Sequence, residues 1–257
     1  MYKIRDLSFI KTRPWEGKMT PFKLFANVYY VGTYQACCYL IDTGDGLIMI
    51  DPGYHNTAYL VVNSIRELGF DFKDIKYIIC THWHGDHTEA TNAFKDLSGA
   101  TTMIGENDFE RAKAYFTADK VIKDGDTLSL GNTTIRFMET PGHTKGTISF
   151  FFEVTENGKT YLAGSFGGAG ANTLGKNTQE FEGAREAYRN SLNRLREEKV
   201  DLFLGNHCWN SNIYEKSIKL LETGENTFLD KDGWIKFIDF CEQRLDRIEK
   251  AEKEQGN

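Results

Sequence analysis

Long apolar runs are missing from this sequence. Nowhere among its 257 residues is there an unbroken stretch of the roughly 18 apolar residues that a membrane-spanning helix needs. Positive charge is not in excess either. Thirty-one Lys and Arg stand against 37 Asp and Glu, a formal net charge of −6, which argues against a broad nucleic-acid footprint while leaving room for a local patch. Only four prolines occur, and no Pro/Ser-rich linker or block of like charge divides the chain, so one domain over residues 1–257 is expected. There is no Cys-x-x-Cys pair and no Gly-x-Ser-x-Gly elbow, and the glycine-rich stretch 164–170 matches no phosphate loop. The opening Met1-Tyr2-Lys3-Ile4-Arg5-Asp6 lacks the apolar segment of a signal peptide. Five cysteines, an odd number without scaffold-like spacing, read as reduced thiols. The expected compartment is the cytoplasm, with the periplasm as the alternative if a leader has been removed.

What is present points to a sheet-rich fold, with 13% aromatic residues and 24 glycines. Residues 1–25 read as an N-terminal arm. Strand-like runs follow at 28–31, 38–41 and 47–50, the last two joined through Asp45-Gly46, a hairpin signal. A helix is expected over 55–68 with Gly69 as its C-cap, then a strand at 76–81, a helix at 88–97, a strand at 102–104 and a helix around 107–116. The second half gives strands at 135–138, 148–154 and 159–163, the last two joined by Asn157-Gly158. A helix at 184–197 and a strand at 200–204 follow. The tail from 234 to 252 reads as an amphipathic helix, with Ile235, Ile238, Cys241, Leu245 and Ile248 on one stripe that serves packing.

One segment carries chemistry: His82-Trp83-His84-Gly85-Asp86-His87, directly after the apolar run Tyr77 to Cys80. A lone histidine is ordinarily structural. Three with an aspartate at a strand end favour a metal site. His82 and His84, two apart in an extended segment, point to one side and can reach one ion, while Gly85 permits a turn that swings Asp86 and His87 towards a second. Of the six histidines, His143 and His207 also follow strands and become ligand candidates beside such a cluster, whereas His55 reads as a cap or surface residue. Nitrogen and oxygen ligands without a thiolate suit zinc, and manganese or iron less well.

Thr81 to His87 resembles the His-x-His-x-Asp-His signature of the metallo-β-lactamase superfamily. Leu47 to Gly53 is similar to its early Asp turn, Pro141 to Thr147 to its second histidine motif, and Gly205-Asn206-His207 to its last. The resemblance spans about 180 residues and implies an α/β fold, an αββα sandwich of two mixed sheets flanked by helices. It implies two zinc ions, with His82, His84 and His143 on the first and Asp86, His87 and His207 on the second. Asp51 would orient a ligand histidine without touching metal. Asp86 and Ser165 are the expected catalytic residues, Asp86 orienting the hydroxide and carrying protons, Ser165 hydrogen-bonding the metal water, although a turn serine fits residue 165 nearly as well.

Within the superfamily, Gly164-Ser165 stands where many members carry an Asp that bridges the metals, and His84 where flavodiiron members carry Glu. The chain is thus most similar to metallo-β-lactamases with His and Asp ligands and no cysteine ligand. Two features count against a dedicated antibiotic-destroying enzyme: Gly167 replaces a second serine, and those enzymes are exported whereas no signal is read here; Cys37-Cys38, expected in the core, is also unusual there. Trp83, Phe166 and Trp209 are wall candidates for the pocket, Tyr34 and Gln35 border candidates, and Gly167 to Gly170 a mobile flap. The leading expectation is a dinuclear zinc-dependent hydrolase in which a metal-held hydroxide attacks a lactam, amide or ester carbonyl. The alternatives are a cytoplasmic hydrolase of a lactone, thioester or phosphodiester, and a non-catalytic metal-binding protein. The expected partner is a small-molecule substrate, with no nucleic acid and no membrane. The oligomeric state is open, a homodimer being one option.

Overall fold

The apolar runs of the first half become one sheet. The computed structural model describes residues 9–255. After a single turn of helix, α1 (Phe9–Thr12), seven strands lie side by side in chain order: β1 (Phe22–Phe25), β2 (Val28–Tyr30), β3 (Tyr39–Asp42), β4 (Leu47–Ile50), β5 (Ile75–Cys80), β6 (Thr101–Gly105) and β7 (Lys120–Ile122). Pairing is antiparallel from β1 to β4 and parallel from β4 to β7. Leu47 to Ile50 and Ile78 to Cys80 are buried without a break, as strands covered on both faces must be. The helices of this half are α2 (Ala58–Glu67), α3 (Gly85–Thr88), α4 (Thr91–Ser98) and α5 (Phe109–Ala112). Val61, Ile65 and Phe94 from α2 and α4 cover Leu40, Met49, Ile78 and Ile104 on the outer face of the sheet. Gly69 and Gly99 follow these two helices with left-handed backbones, φ +82° and +74°, the usual way to stop a helix.

The second half builds a smaller sheet in the order β12-β11-β10-β9-β8, from β8 (Thr127–Leu130), β9 (Thr133–Glu139), β10 (Ile148–Glu156), β11 (Lys159–Ser165) and β12 (Leu202–Phe203). Only β11 and β12 are parallel. Helices α6 (Ala184–Arg196), α7 (Ile213–Thr223) and α8 (Gly233–Gln255) complete the chain. Tyr188, Leu192 and Leu195 of α6 pack with Trp234, Ile238, Cys241 and Leu245 of α8 and with Phe151 and Phe203 of the sheet. Ion pairs line the seam between the two helices: Arg185–Glu252, Arg189–Asp246 and Arg196–Asp239. Between the sheets, Ile41, Ile48, Ile50 and Ile79 meet Phe137, Phe150, Phe152 and Ala163. The layers run helix, sheet, sheet, helix, both sheets mixed, which is the expected αββα sandwich.

Several expected boundaries move. Residues 1–8 of the expected N-terminal arm lie outside the described residues. The rest is more than an arm, because Phe22–Phe25 is the first strand of the large sheet, with Phe22 and Leu24 buried. The expected helix at 88–97 is split into α3 and α4, and that at 107–116 shrinks to a 3-10 turn, Glu106–Asp108, and α5. Glycines 164–170 do not all break structure, since β11 runs through to Ser165. Strands β7 and β8 and helix α7 have no counterpart among the expected elements. The tail helix extends to Gly233–Gln255, and Ile235 leaves its buried stripe, at 37% exposure, while Trp234 enters it at 0%.

Candidate metal centre

The strand ends converge at one edge of the sandwich. After β5, the chain bends through Thr81, His82 and Trp83 to His84, whose backbone (φ −60°, ψ 145°) caps α3. His82 and His84 meet across this bend, their rings 4.9 Å apart. The α3 turn that begins at Gly85 brings His87 back beneath them, 4.2 Å from the His82 ring. His143 arrives from the turn between β9 and β10, 4.8 Å from His82 and 4.7 Å from His84. His207 arrives after β12, held by a bridge to Ala36, with its ring 5.0 Å from His87. Asp86 Oδ2 lies 3.5 Å from His87 Nε2 and 3.6 Å from His207 Nε2. All six expected ligands are thus gathered in one place. Two triples, His82/His84/His143 and His82/Asp86/His87, have ligand atoms within 4.8 Å of one another, so His82 belongs to both. His55 stands apart, exposed at the start of a 3-10 turn, as expected.

Hydrogen bonds around the cluster decide which nitrogen of each ring is bare. Asp51 follows β4 with φ +50°, a strained position for a non-glycine that functional sites use. It is 1% exposed. Its Oδ1 accepts the Thr81 N–H at 2.7 Å, and its Oδ2 lies 2.7 Å from the Thr81 hydroxyl and 2.8 Å from His87 Nδ1. A carboxylate only accepts, so Thr81 and His87 Nδ1 donate to it. The Thr81 oxygen, its proton committed, accepts from His82 Nδ1 at 3.1 Å. Asp51 therefore orients His87 directly and His82 through Thr81. Both Nε2 atoms are left bare, buried and without a partner.

The same reasoning applies on the other side. His84 Nε2 meets Glu180 Oε1 at 2.8 Å, and His143 Nδ1 meets the Gly170 carbonyl at 2.8 Å. Both acceptors lack a proton, so both nitrogens donate. His84 Nδ1 and His143 Nε2 then turn their lone pairs on each other, 3.0 Å apart. Two such lone pairs repel unless a cation lies within their reach. Four bare imidazole nitrogens and one carboxylate at a single point are a donor set for divalent metal, and zinc fits their chemistry. Burial drives His82 well below its ordinary pKa, His143 to about 3 and His207 to about 4, leaving these rings neutral at neutral pH. Burial also works against charge on Asp86 and His87, but Asp86 is held ionised by His87, His207 and their neighbours, while Asp86 and Asp51 raise His87.

A family model described as the metallo-β-lactamase superfamily matches residues 31–207, from the end of β2 to the last ligand candidate. The chain belongs to that superfamily. Its likeness to solved metallo-β-lactamases covers nearly the whole molecule. It superposes with a TM-score of 0.86 on the native FEZ-1 metallo-β-lactamase of Legionella gormanii, at 29% identity, covering 92% of this chain and 98% of that one. With BJP-1, a subclass B3 metallo-β-lactamase of Bradyrhizobium japonicum, the TM-score is 0.87 at 25% identity, covering 96% and 99%. By sequence, it is 31% identical over 120 residues to the hydroxyacylglutathione hydrolase of Methylococcus capsulatus, a match covering 47% of this chain. That match covers 43% of the relative, so the chain spans less than half the length of this curated protein.

Ser165 ends β11 opposite Phe150, 1% exposed, on the strand face that Ala163 presents to the other sheet. Its hydroxyl makes no hydrogen bond to any of the six ligand candidates. Cys37 and Cys38 are core residues, each 1% exposed, and burial raises the Cys37 thiol to about 12. Phe166 is fully buried against Tyr188. Trp83 instead donates its indole N–H to Glu180, under the Arg111 guanidinium. Trp209 does line the site, stacked on His207 at 4.5 Å and 8°. Gln35 is buried beside the cluster and donates to the Tyr54 hydroxyl, whereas Tyr34 packs edge-on against Tyr214.

The expected mobile flap is a packed turn. Gly167 to Ala169 are buried, the Gly167 carbonyl accepts from Asn206, and the Ala169 carbonyl from the Tyr188 hydroxyl. A Cβ on Gly167 would lie 2.0 Å from the Ile148 carbonyl, which is the physical reason that no second serine stands there. The residues that the sequence reading lacks are the outer partners: Glu180, Thr173 on the His143 carbonyl, and Asp108, which accepts from the Trp83 and Gly146 N–H groups and the Thr144 hydroxyl. Glu180 sits 96 positions from His84 in a loop without periodic pattern, so no sequence signal marks it.

Proposed function

We propose that this chain is a dinuclear zinc-dependent hydrolase of β-lactamase type, acting on a lactam or related amide or ester carbonyl. The observation that carries it is the set of bare nitrogens on His82, His84, His87 and His143, each fixed by an acceptor on its other ring nitrogen. His82, His84 and His143 would hold one ion, and Asp86, His87 and His207 the other. Two bound zinc ions would supply Lewis acidity, lowering the pKa of water and polarising the carbonyl. Asp86, ionised and facing His87 and His207, orients the attacking water through its carboxylate and receives a proton from it. In the overall reaction the water oxygen bonds to the carbonyl carbon, the carbon–nitrogen bond opens, and the proton ends on the nitrogen. Asp51, Thr81, Glu180 and Gly170 hold the rings and take no part in the bond changes.

The likeness to FEZ-1 and BJP-1 over more than nine-tenths of the chain supports a lactam. A second reading, thioester hydrolysis, is supported by the name of the Methylococcus relative. Gly164-Ser165 weighs against it, because a carboxylate is absent where such enzymes bridge their metals. The test is turnover by the zinc-loaded protein of a chromogenic cephalosporin and of a hydroxyacyl thioester, side by side. Faster lactam opening is the expected result. Preference for the thioester would replace the lactam reading with the second one, and turnover of neither would remove both.

A further inference from the structure

Beside the cluster, a cavity of about 190 Å³ opens between His207 and the last helix. One wall is the His207 imidazole with the Trp209 indole stacked on it. Across from it stand Phe240 and Arg244 of α8, and the amides of Asn172 and Asn210 complete the polar lining. Among the described residues, no carboxylate lines this space.

Arg244 differs from the arginines that α6 sends towards α8. Arg185, Arg189 and Arg196 each reach across from α6 to a carboxylate of α8. Among the described residues, Arg244 makes no ion pair, though it is half-buried. Its neighbours Cys241 and Tyr188 are buried and stay neutral, burial raising the thiol to about 12 and the phenol well above its ordinary value. A guanidinium is always charged, and its planar fork matches a carboxylate. A sheltered guanidinium without a counter-charge, facing an aromatic-walled cavity that ends at a metal-ligand histidine, is complementary to an anion carried by an apolar body.

We propose that Arg244 anchors a carboxylate of the substrate, so that the compound opened at the histidine cluster is an anionic carbonyl compound whose apolar part lies between Trp209 and Phe240. This specificity rests on the hydrolase reading for its reaction, but not for its binding. Neutral lactones and uncharged esters are then poor substrates, and acids of similar size good ones.

The test pairs a chromogenic cephalosporin bearing its free carboxylate with its methyl ester, on zinc-loaded wild type and Arg244→Gln. Hydrogen bonds between charged groups set the expected loss: KM for the acid rises about 10- to 100-fold, with kcat and zinc content kept and the ester unaffected. Arg244→Lys recovers part of the loss. An equal effect on acid and ester, or none, overturns the proposal. Calorimetric titration with phenylacetate, against phenylacetamide as the neutral control, gives a readout independent of turnover. Phenylacetate binding by wild type and its loss in Arg244→Gln support the anion site even if no lactam is opened, in which case only the hydrolase reading fails. Equal binding of phenylacetate by both proteins, or by neither, overturns it.

Discussion

Glu180 shows how much of the centre depends on single atoms outside the ligand set. One oxygen receives His84 Nε2 at 2.8 Å and the other the Trp83 indole at 3.1 Å, with Arg111 at 3.8 Å from the carboxylate. Glutamine offers one oxygen for two donors, so Glu180→Gln leaves one of them unpaired and loosens the His84 ring. Loss of such a partner typically costs 10–100-fold in metal affinity. We expect zinc binding to weaken by about that factor in competition with a chromophoric chelator, and an unchanged affinity would show that His84 needs no orienting acceptor. Gly167 makes the opposite point, a position where any side chain is excluded. Gly167→Ser pushes a Cβ against the Ile148 carbonyl, and overpacking of this kind costs about 1–3 kcal/mol. Urea unfolding should show that loss, whereas an unshifted midpoint would mean that the turn has room for the missing serine. All six ligand candidates were legible because strand ends and close spacing mark them in one dimension. Glu180, Thr173 and Asp108 were not, because their partners lie 25 to 97 residues away and only the topology brings them near.

At the scale of elements, the turns matter more than the strands. Asp108, 1% exposed, ties the turn after β6 to the cluster segment and to the 144–146 turn that follows His143, through three accepted hydrogen bonds. Burial raises its carboxyl to about 6 against the pull of those bonds. The folded chain therefore holds this proton more tightly than the unfolded one, whose carboxyl titrates near 3.9. Between about pH 4 and pH 6 the folded state binds more protons, so Asp108's contribution to stability falls as pH rises through that window, by roughly 3 kcal/mol. Carbon-13 NMR of the aspartate carboxyls should find one with a midpoint near 6 that disappears in Asp108→Asn. A set of aspartates all titrating at or below 4 would contradict it. The buried parallel strands were legible as unbroken apolar runs, Leu47 to Ile50 above all. Lys120–Ile122 and Thr127–Leu130 were not, because a three-residue strand and a four-residue Thr-Leu-Ser-Leu alternation, both at sheet edges with exposed Lys120, Thr127 and Ser129, are too short to stand out. Ile235 misled for a related reason: a helical stripe drawn from residue types alone chose it over Trp234, whose indole is buried and donates to the Leu195 carbonyl at 2.9 Å.

For the whole molecule, two mixed sheets packed face to face leave their strand ends at one edge, and everything with chemistry is there. β4 delivers Asp51, β5 the His82 cluster, the β9–β10 turn His143 and β12 His207. The α6–α8 layer adds a cavity with a guanidinium next to the last of these histidines. This division explains why the order of motifs sufficed for the fold while the substrate side needed the packing of α8. The most direct measurement is the zinc content of the loaded and desalted chain by elemental analysis, for wild type and for His82→Ala, because His82 belongs to both ligand triples. Two zinc ions per wild-type chain are expected, with His82→Ala holding one or fewer. One or fewer per wild-type chain would contradict the dinuclear centre.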